Sequence, residues 1–273
     1  MNNESFYFVV LKNPGRFNHS SLADALASCL SVLKVDAVMH LKNYWGLLHK
    51  TQEIDKAQEL QEKLRQWGVE TFVISMSEIK QLPAVKVLKQ VSLEEHGLAF
   101  EEEGQKKSLP WNSFVLVCAG QVIEIETVKR RTVGDGHYAK HLITTGVSFV
   151  SAVRISADRL KGKEVIEKKP GATFLLDLIA RENSESIRII GNSFNYSCLG
   201  DKMGYNVLMN FKNLYQEISK FLTGVIKNQG ARSIDADDMA KLKYISESSY
   251  ENERLWLMQL TGRTPIEATS SQL

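Results

Sequence analysis

Val85-Lys-Val-Leu-Lys-Gln-Val-Ser-Leu93, the turn Glu94-Glu-His-Gly97, Leu98-Ala-Phe-Glu-Glu-Glu103, Gly104, and Leu109-Pro-Trp111 running into Phe114-Val-Leu-Val117 decide the fold. β-Branched and aromatic residues recur here at short spacing, and glycines punctuate them, the pattern of strands joined by tight turns. Val85, Val87, Val91, Leu93, Leu98, Phe100, Val115 and Val117 are the expected inward positions, and Glu101–Lys107 is the charged hairpin tip. The stretch marks the start of an antiparallel β domain where a helix-rich segment ends. No catalytic motif comes with it.

Upstream, Ser5–Leu11 has the length and β-branched content of a buried strand, and Asn13-Pro14-Gly15 breaks it. Ser20 or Ser21 can cap a helix carrying Leu22, Leu26, Cys29, Leu30 and Leu33 at helical spacing. A short helix is expected over Asp36–Tyr44 with Val38, Met39 and Leu41 inward, then a strand over Trp45–His49. Ile54, Ala57, Leu60, Leu64 and Trp67 predict a second strong helix, Gly68 stops it, and Thr71–Ser75 is a strand. This β-α-(α)-β-α-β order over residues 5–76 resembles the ferredoxin-like modules of ACT and SPOR type. The resemblance implies a small sheet with helices on one face, assigned to residues 1–80.

Downstream of Ile79–Pro83, residues 127–171 are polar and basic and read as an insertion inside the β domain. Thr173–Ala180 and Ile187–Ile190 form a hairpin, Phe194-Asn195-Tyr196 a further strand, and Asn206–Ile226 a long amphipathic helix with Phe211 on its apolar stripe. The strand entry at Leu109-Pro-Trp111 and the strands-then-helix layout resemble PH-like domains, which implies an antiparallel barrel over residues 84–228 capped by that helix. Residues 229–273 read as a helical tail, with Asp235–Leu260 its core and Thr264–Leu273 polar. Together with the segment Phe194-Asn-Tyr-Ser-Cys-Leu-Gly200, the whole resembles uncharacterised bacterial proteins in which a βαβ module precedes a PH-like barrel. The expected fold class is α+β, and the resemblance carries no activity over.

A chain of 273 residues suggests two domains. A net charge of +2 argues against general nucleic-acid or membrane binding. Cys29, Cys118 and Cys198 are widely spaced and form no CxxC pair, which excludes zinc ribbons and thioredoxin-like motifs; buried thiols in a reducing cytoplasm are expected. Met1-Asn-Asn-Glu-Ser lacks the basic segment of a signal peptide, and no apolar run approaches the length of a membrane span.

His137 and His141 have zinc-compatible spacing, but no third ligand accompanies them, so no metal is expected. Lys129, Arg130 and Arg131 precede Gly134-Asp135-Gly136 and could hold a phosphate or an acidic partner; they are the candidate binding residues, against the alternative of a solvated loop. That glycine turn lacks the Gly-Lys-Ser/Thr of a phosphate loop, and Gly-x-Ser-x-Gly is absent. Asp177 and Asp201 are not placed at a common site, and the four tryptophans are spread along the chain. No catalytic residue and no cofactor is expected. The reading is a non-catalytic interaction or regulatory protein with a protein partner or a homo-oligomeric state. The alternatives are a phosphate- or nucleotide-binding module and an enzyme of unassigned chemistry.

Overall fold

The structure is a computed structural model that describes residues 6–14, 19–131, 164–181 and 184–262, without the side chains of 124–131 and 164–170. In chain order it holds β1 (Tyr7–Leu11), α1 (His19–Leu30), α2 (Lys34–Tyr44), β2 (Leu47–Thr51), α3 (Ile54–Gln66), β3 (Thr71–Ser75), β4 (Val85–Leu88), β5 (Ser92–Leu93) and β6 (Gly97–Glu102). There follow β7 (Gln105–Pro110), β8 (Phe114–Arg131), β9 (Glu164–Ala180), β10 (Ser186–Ile190), α4 (Val207–Ser219), β11 (Ile226–Lys227), α5 (Gln229–Asp235), β12 (Lys243–Tyr244) and α6 (Glu247–Leu260). The class is α+β. Met1–Ile123 with Ala172–Leu273 makes one compact unit, and Glu124–Gly171 makes a second.

The first three strands form their own sheet in the order β2-β1-β3, with β1 antiparallel to both neighbours. Ala57, Leu60 and Leu64 are the buried stripe of α3, while Ile54 and Trp67 at its ends are exposed. In α2 the buried pair is Ala37 and Leu41; Met39, expected inward, is exposed.

The expected closed barrel is not formed among the described residues. Six strands make an open sheet, β11-β8-β9-β10-β4, with β12 also on β8, and β5-β6-β7 is a separate antiparallel sheet. The edges explain this. β4 joins β10 in parallel, and β11 and β12 join β8 in parallel, so short strands cover each edge instead of the edges meeting. The β6–β7 turn is Glu103-Gly104, both at positive φ, a two-residue hairpin loop.

The open sheet is buried on both faces. Leu116, Cys118 and Val122 of β8 and Leu175 and Ile179 of β9 join a core with Val9, Leu48, Leu64 and Trp256. Val117, Ala119, Leu176, Leu178, Ile187 and Ile189 face the other way and join Leu98, Phe100, Phe211, Leu214 and Ile218. Two-sided burial is why Phe114–Ala119 and Phe174–Ala180 are near-continuous apolar runs. The sheets on either side of residues 79–84 are separate, but the first core crosses that boundary and includes α6. The Trp256 indole N–H donates to the Leu11 carbonyl at 2.8 Å. The approach demands Gly46, because a Cβ there would lie 2.0 Å from the Trp256 ring.

Three downstream elements differ from expectation. The helix from Asn206 ends at Ser219 rather than Ile226; Phe221 leaves it, Gly224 turns at φ 67° and Ile226 opens β11. Phe194-Asn195-Tyr196 is not a strand but leads into a 3-10 segment over Tyr196–Lys202. The Asn195 carboxamide accepts from the Ser197 N–H, and the Tyr196 hydroxyl donates to the Gly191 carbonyl, so local bonds replace a strand ladder. The tail's first helix, α5, covers Gln229–Asp235 behind an Asn228 cap, ahead of the expected core from Asp235, and the tail holds β12 as well as helices.

Phe211 is fully buried and tilts against Phe174 at 5.3 Å between ring centroids. Phe211→Ala should lower unfolding free energy by about 3–5 kcal/mol in denaturant titration. A stability equal to that of the unsubstituted chain would place that helix face outside the core.

Candidate functional site

Two buried polar networks and one open cleft are the candidates. The first network surrounds Asp177, fully buried near the C-terminal end of β9. Arg188, its register partner on β10, grips the carboxylate from Nε at 2.8 Å and Nη2 at 2.9 Å. Arg254 of α6 lies 3.1 Å from Oδ2, and the Tyr250 hydroxyl sits 3.0 Å from Oδ2 and 3.1 Å from the Cys118 carbonyl. Glu251 accepts from both arginines at 2.6 Å. Arg188 also approaches Glu247 at 3.4 Å, so two cations face three carboxylates, of which Asp177 alone is fully buried, and none of Asp177, Arg188 and Arg254 lines the open cleft. The arrangement joins α6 to the sheet; it is a structural lock.

The second network closes the edge of β8. β11 pairs with Leu116 and Val117, and β12 pairs with Gln121 and Val122. Between them the Asn228 carboxamide bonds both backbone groups of Ala119, accepting at 2.9 Å and donating at 2.9 Å, and so acts as one residue of a strand. Its amide also donates to the Tyr244 hydroxyl at 2.8 Å, which in turn donates to Glu253. Glu253 also accepts from the Gln229 N–H at 2.8 Å. Gly230 completes the fit, since a Cβ there would stand 1.9 Å from the Ala119 carbonyl oxygen. Burial pushes the Glu253 carboxyl up, and the Tyr244 hydroxyl, the Gln229 amide and Arg232 only partly oppose it.

The cleft, about 1080 Å³, lies where the linker after β3, the β7–β8 connection, the α4–β11 connection and the end of α6 converge. Trp111 and Phe221 stack within it, with ring centroids 4.8 Å apart and planes 4° from parallel. The Trp111 indole N–H donates to the Glu94 carbonyl at 2.9 Å, which holds the ring in place. The early end of α4 is what frees Phe221 for this stack. Ile226, Met258 and Leu260 continue the apolar lining. Lys80, His96 and Arg181 bring basic groups to it, and Glu95, Asn112 and Thr223 bring further polar ones. Lys80 is fixed in place: its N–H donates to the Gln259 side chain at 2.9 Å, Gln259 returns a bond to its carbonyl at 2.8 Å, and its ammonium donates to the Thr261 carbonyl and hydroxyl. A cation just past the last turn of α6 suits the negative end of the helix dipole.

Lys129, Arg130 and Arg131 are the last residues of β8, not a loop; their side chains lie outside the described residues. His137, His141 and the Gly134-Asp135-Gly136 turn also lie outside them. Asp177 and Asp201 are not brought together: Asp177 is in the buried lock and Asp201 is exposed in the 3-10 segment. Trp111 was expected as a packed strand entry, and its cleft role was missed because Phe221, its stacking partner, was assigned to the interior of a helix. Of the cysteines only Cys118 is fully buried, and burial raises its thiol pKa well above the ordinary value; Cys29 and Cys198 are half-buried, with thiols raised by the same cause. Among the described residues no group of three or more metal-ligating side chains occurs and no helix is long and apolar enough to cross a membrane. Comparison with known proteins finds no matching protein family, no matching curated protein and no matching solved structure.

Two outcomes follow from the networks. Asp177→Ala leaves two buried guanidinium groups without their shared carboxylate and should cost about 3–5 kcal/mol, read by chemical denaturation. A carboxyl whose native pKa is raised holds its proton more tightly folded than unfolded. Its stabilisation is therefore complete below the ordinary Glu value of about 4.3 and is lost as pH rises through its native value. Glu253→Gln, which keeps one acceptor oxygen, should flatten the stability–pH profile above about pH 4. An unchanged profile would mean that Glu253 is ionised in the fold.

Proposed function

We propose that this chain is a non-catalytic interaction protein that takes a partner's peptide segment in the Trp111–Phe221 cleft. One observation supports the reading above the rest: a preformed aromatic stack lies in an open, mostly apolar cleft with Lys80 and Arg181 beside it. Aromatic anchors in partly desolvated pockets dominate protein recognition, and flanking cations select for acidic neighbours. The favoured segment therefore carries one apolar anchor residue next to Asp or Glu.

The finer fold reading belongs to the same proposal. The β1–β3 sheet with α1–α3 is taken as ferredoxin-like, and the six-stranded sheet with its β5–β7 neighbour as a PH-like platform opened at its edges. Modules of both kinds often bind peptides, ligands or other domains, which agrees with the cleft. The reading places the protein in a reducing cytoplasm, and its three cysteines are free thiols.

The test is selection from a random peptide library. The unsubstituted chain should enrich apolar–acidic motifs. Phe221→Ala, which removes the half-buried ring of the stack, should weaken the best of these about thirty-fold, the size of a hot-spot loss of about 2 kcal/mol. Arg181→Glu, at an exposed position, should turn the preference towards basic neighbours with no change in melting temperature. Identical motifs from the unsubstituted and Arg181→Glu chains would remove the cleft from the account.

A further inference from the structure

We infer that the Trp111 cleft has an occupant in this same chain: the segment Arg263–Glu267, with Ile266 as its apolar anchor and Glu267 as the acid beside it. The inference rests on the reading of that cleft as a peptide site, and it makes the protein's own chain the first competitor of any partner.

The course of the chain points there. α6 ends at Leu260, and Met258, Leu260, Thr261 and Gly262 all line the cleft. The Lys80 ammonium donates to the Thr261 carbonyl and hydroxyl, so the chain just past the helix is fastened at the cleft's edge. Gly262 then turns at φ 75°, a left-handed position that glycine takes without strain. Ile266 follows four residues later. Four extended residues span at most about 14 Å, and a volume of about 1080 Å³ corresponds to a cleft about 10 Å across, so the anchor can reach the far wall. Pro265 confines the residue before it to extended backbone, which favours reach over coiling.

The chemistry of the segment fits the lining. Val115, Phe221 and Ile226 are half-buried and Pro110 is exposed, so apolar surface remains for an aliphatic side chain. From Arg263 to Gln272, Ile266 is the only large apolar side chain and Glu267 the only acid. Arg181 is exposed in the lining, and Glu267 supplies its counter-charge. Glu95 is the one acidic residue of the lining, and Arg263, next to Gly262, is its complement. Each such exposed pair is worth little alone. Attachment makes the contact favourable, because a short tether raises the effective concentration of the segment to about the millimolar range. Any other peptide then binds only to the fraction of clefts left open.

Fluorescence anisotropy with the full chain tests this. The probe is a labelled synthetic peptide of residues 262–269, and the variant chain carries Ile266→Ala/Glu267→Ala. The probe should bind the variant about ten-fold more tightly than the unsubstituted chain, which corresponds to a cleft left open about one-tenth of the time. Library peptides of the apolar–acidic class should gain by the same factor. Equal affinity for the two chains, or no binding of the probe to either while library peptides still bind, would overturn the inference and leave the cleft standing as a peptide site. Library selection that fails on both chains would remove both. Dimers of the unsubstituted chain that the variant loses would put the segment in a second copy's cleft and overturn the intramolecular contact.

Discussion

Asp177 places an acidic side chain inside a sheet that is apolar on both faces, and the rest of the architecture accommodates it. An isolated buried carboxylate is too costly to keep, so two guanidinium groups must reach it. One comes from the neighbouring strand, where pairing sets Arg188 opposite Asp177. The other comes from α6, which is thereby held in one register against the sheet through Arg254 and Tyr250. Trp256 and Gln259 lie on that same helix, so the seat of α6 also determines where Leu11 and the Lys80 linker are held. A single ionic requirement thus positions the N-terminal module and one wall of the Trp111 cleft.

Sealing the β8 edge is the complementary constraint. Two-residue strands cannot cover seven residues of backbone, and the gap at Ala119 is filled by a side chain rather than by main chain. Asn is suited to this because its carboxamide offers one donor and one acceptor with peptide-like geometry. The segment then turns through α5 and back along β12, which brings Lys241, Lys243 and Tyr244 to the α1–α2 face. Edge protection and the placing of those residues are consequences of one path of the chain.

The first half of the fold was legible because its signals are local. Leu60 and Leu64 recur at helical spacing, Gly68 stops the helix at φ 74°, and β1 and β3 are compact apolar runs. Asn206 was equally legible, since its side chain accepts from the Met209 N–H at 2.8 Å. The second half depends on distant partners. Phe221 and Ile226 continue a helical stripe in sequence, yet Trp111 and β8 draw them out of the helix. The parallel joins of β4 and β11 have no short-range signal at all, and without them the strands read as a barrel. The cleft was illegible for the same reason: Trp111 and Phe221 are 110 residues apart. The basic run that local sequence did show, Lys129–Arg131, ends a strand.

The bond from Trp256 to Leu11 spans 245 residues, and the core around it draws on β1, β2, β8, β9 and α6. Contacts of such separation close only after most of the chain is available. During synthesis the N-terminal strands emerge first and α1 and α3 can pack with them, but Trp256 and Leu257 complete that core only once the residues around position 256 have left the ribosome. Through that interval Leu11 and Trp45 lack their α6 partners, Trp256 and Ser249, and the core around them is unfinished. A stalled or truncated product lacking α6 is therefore a substrate for chaperones and proteases, not a smaller working protein.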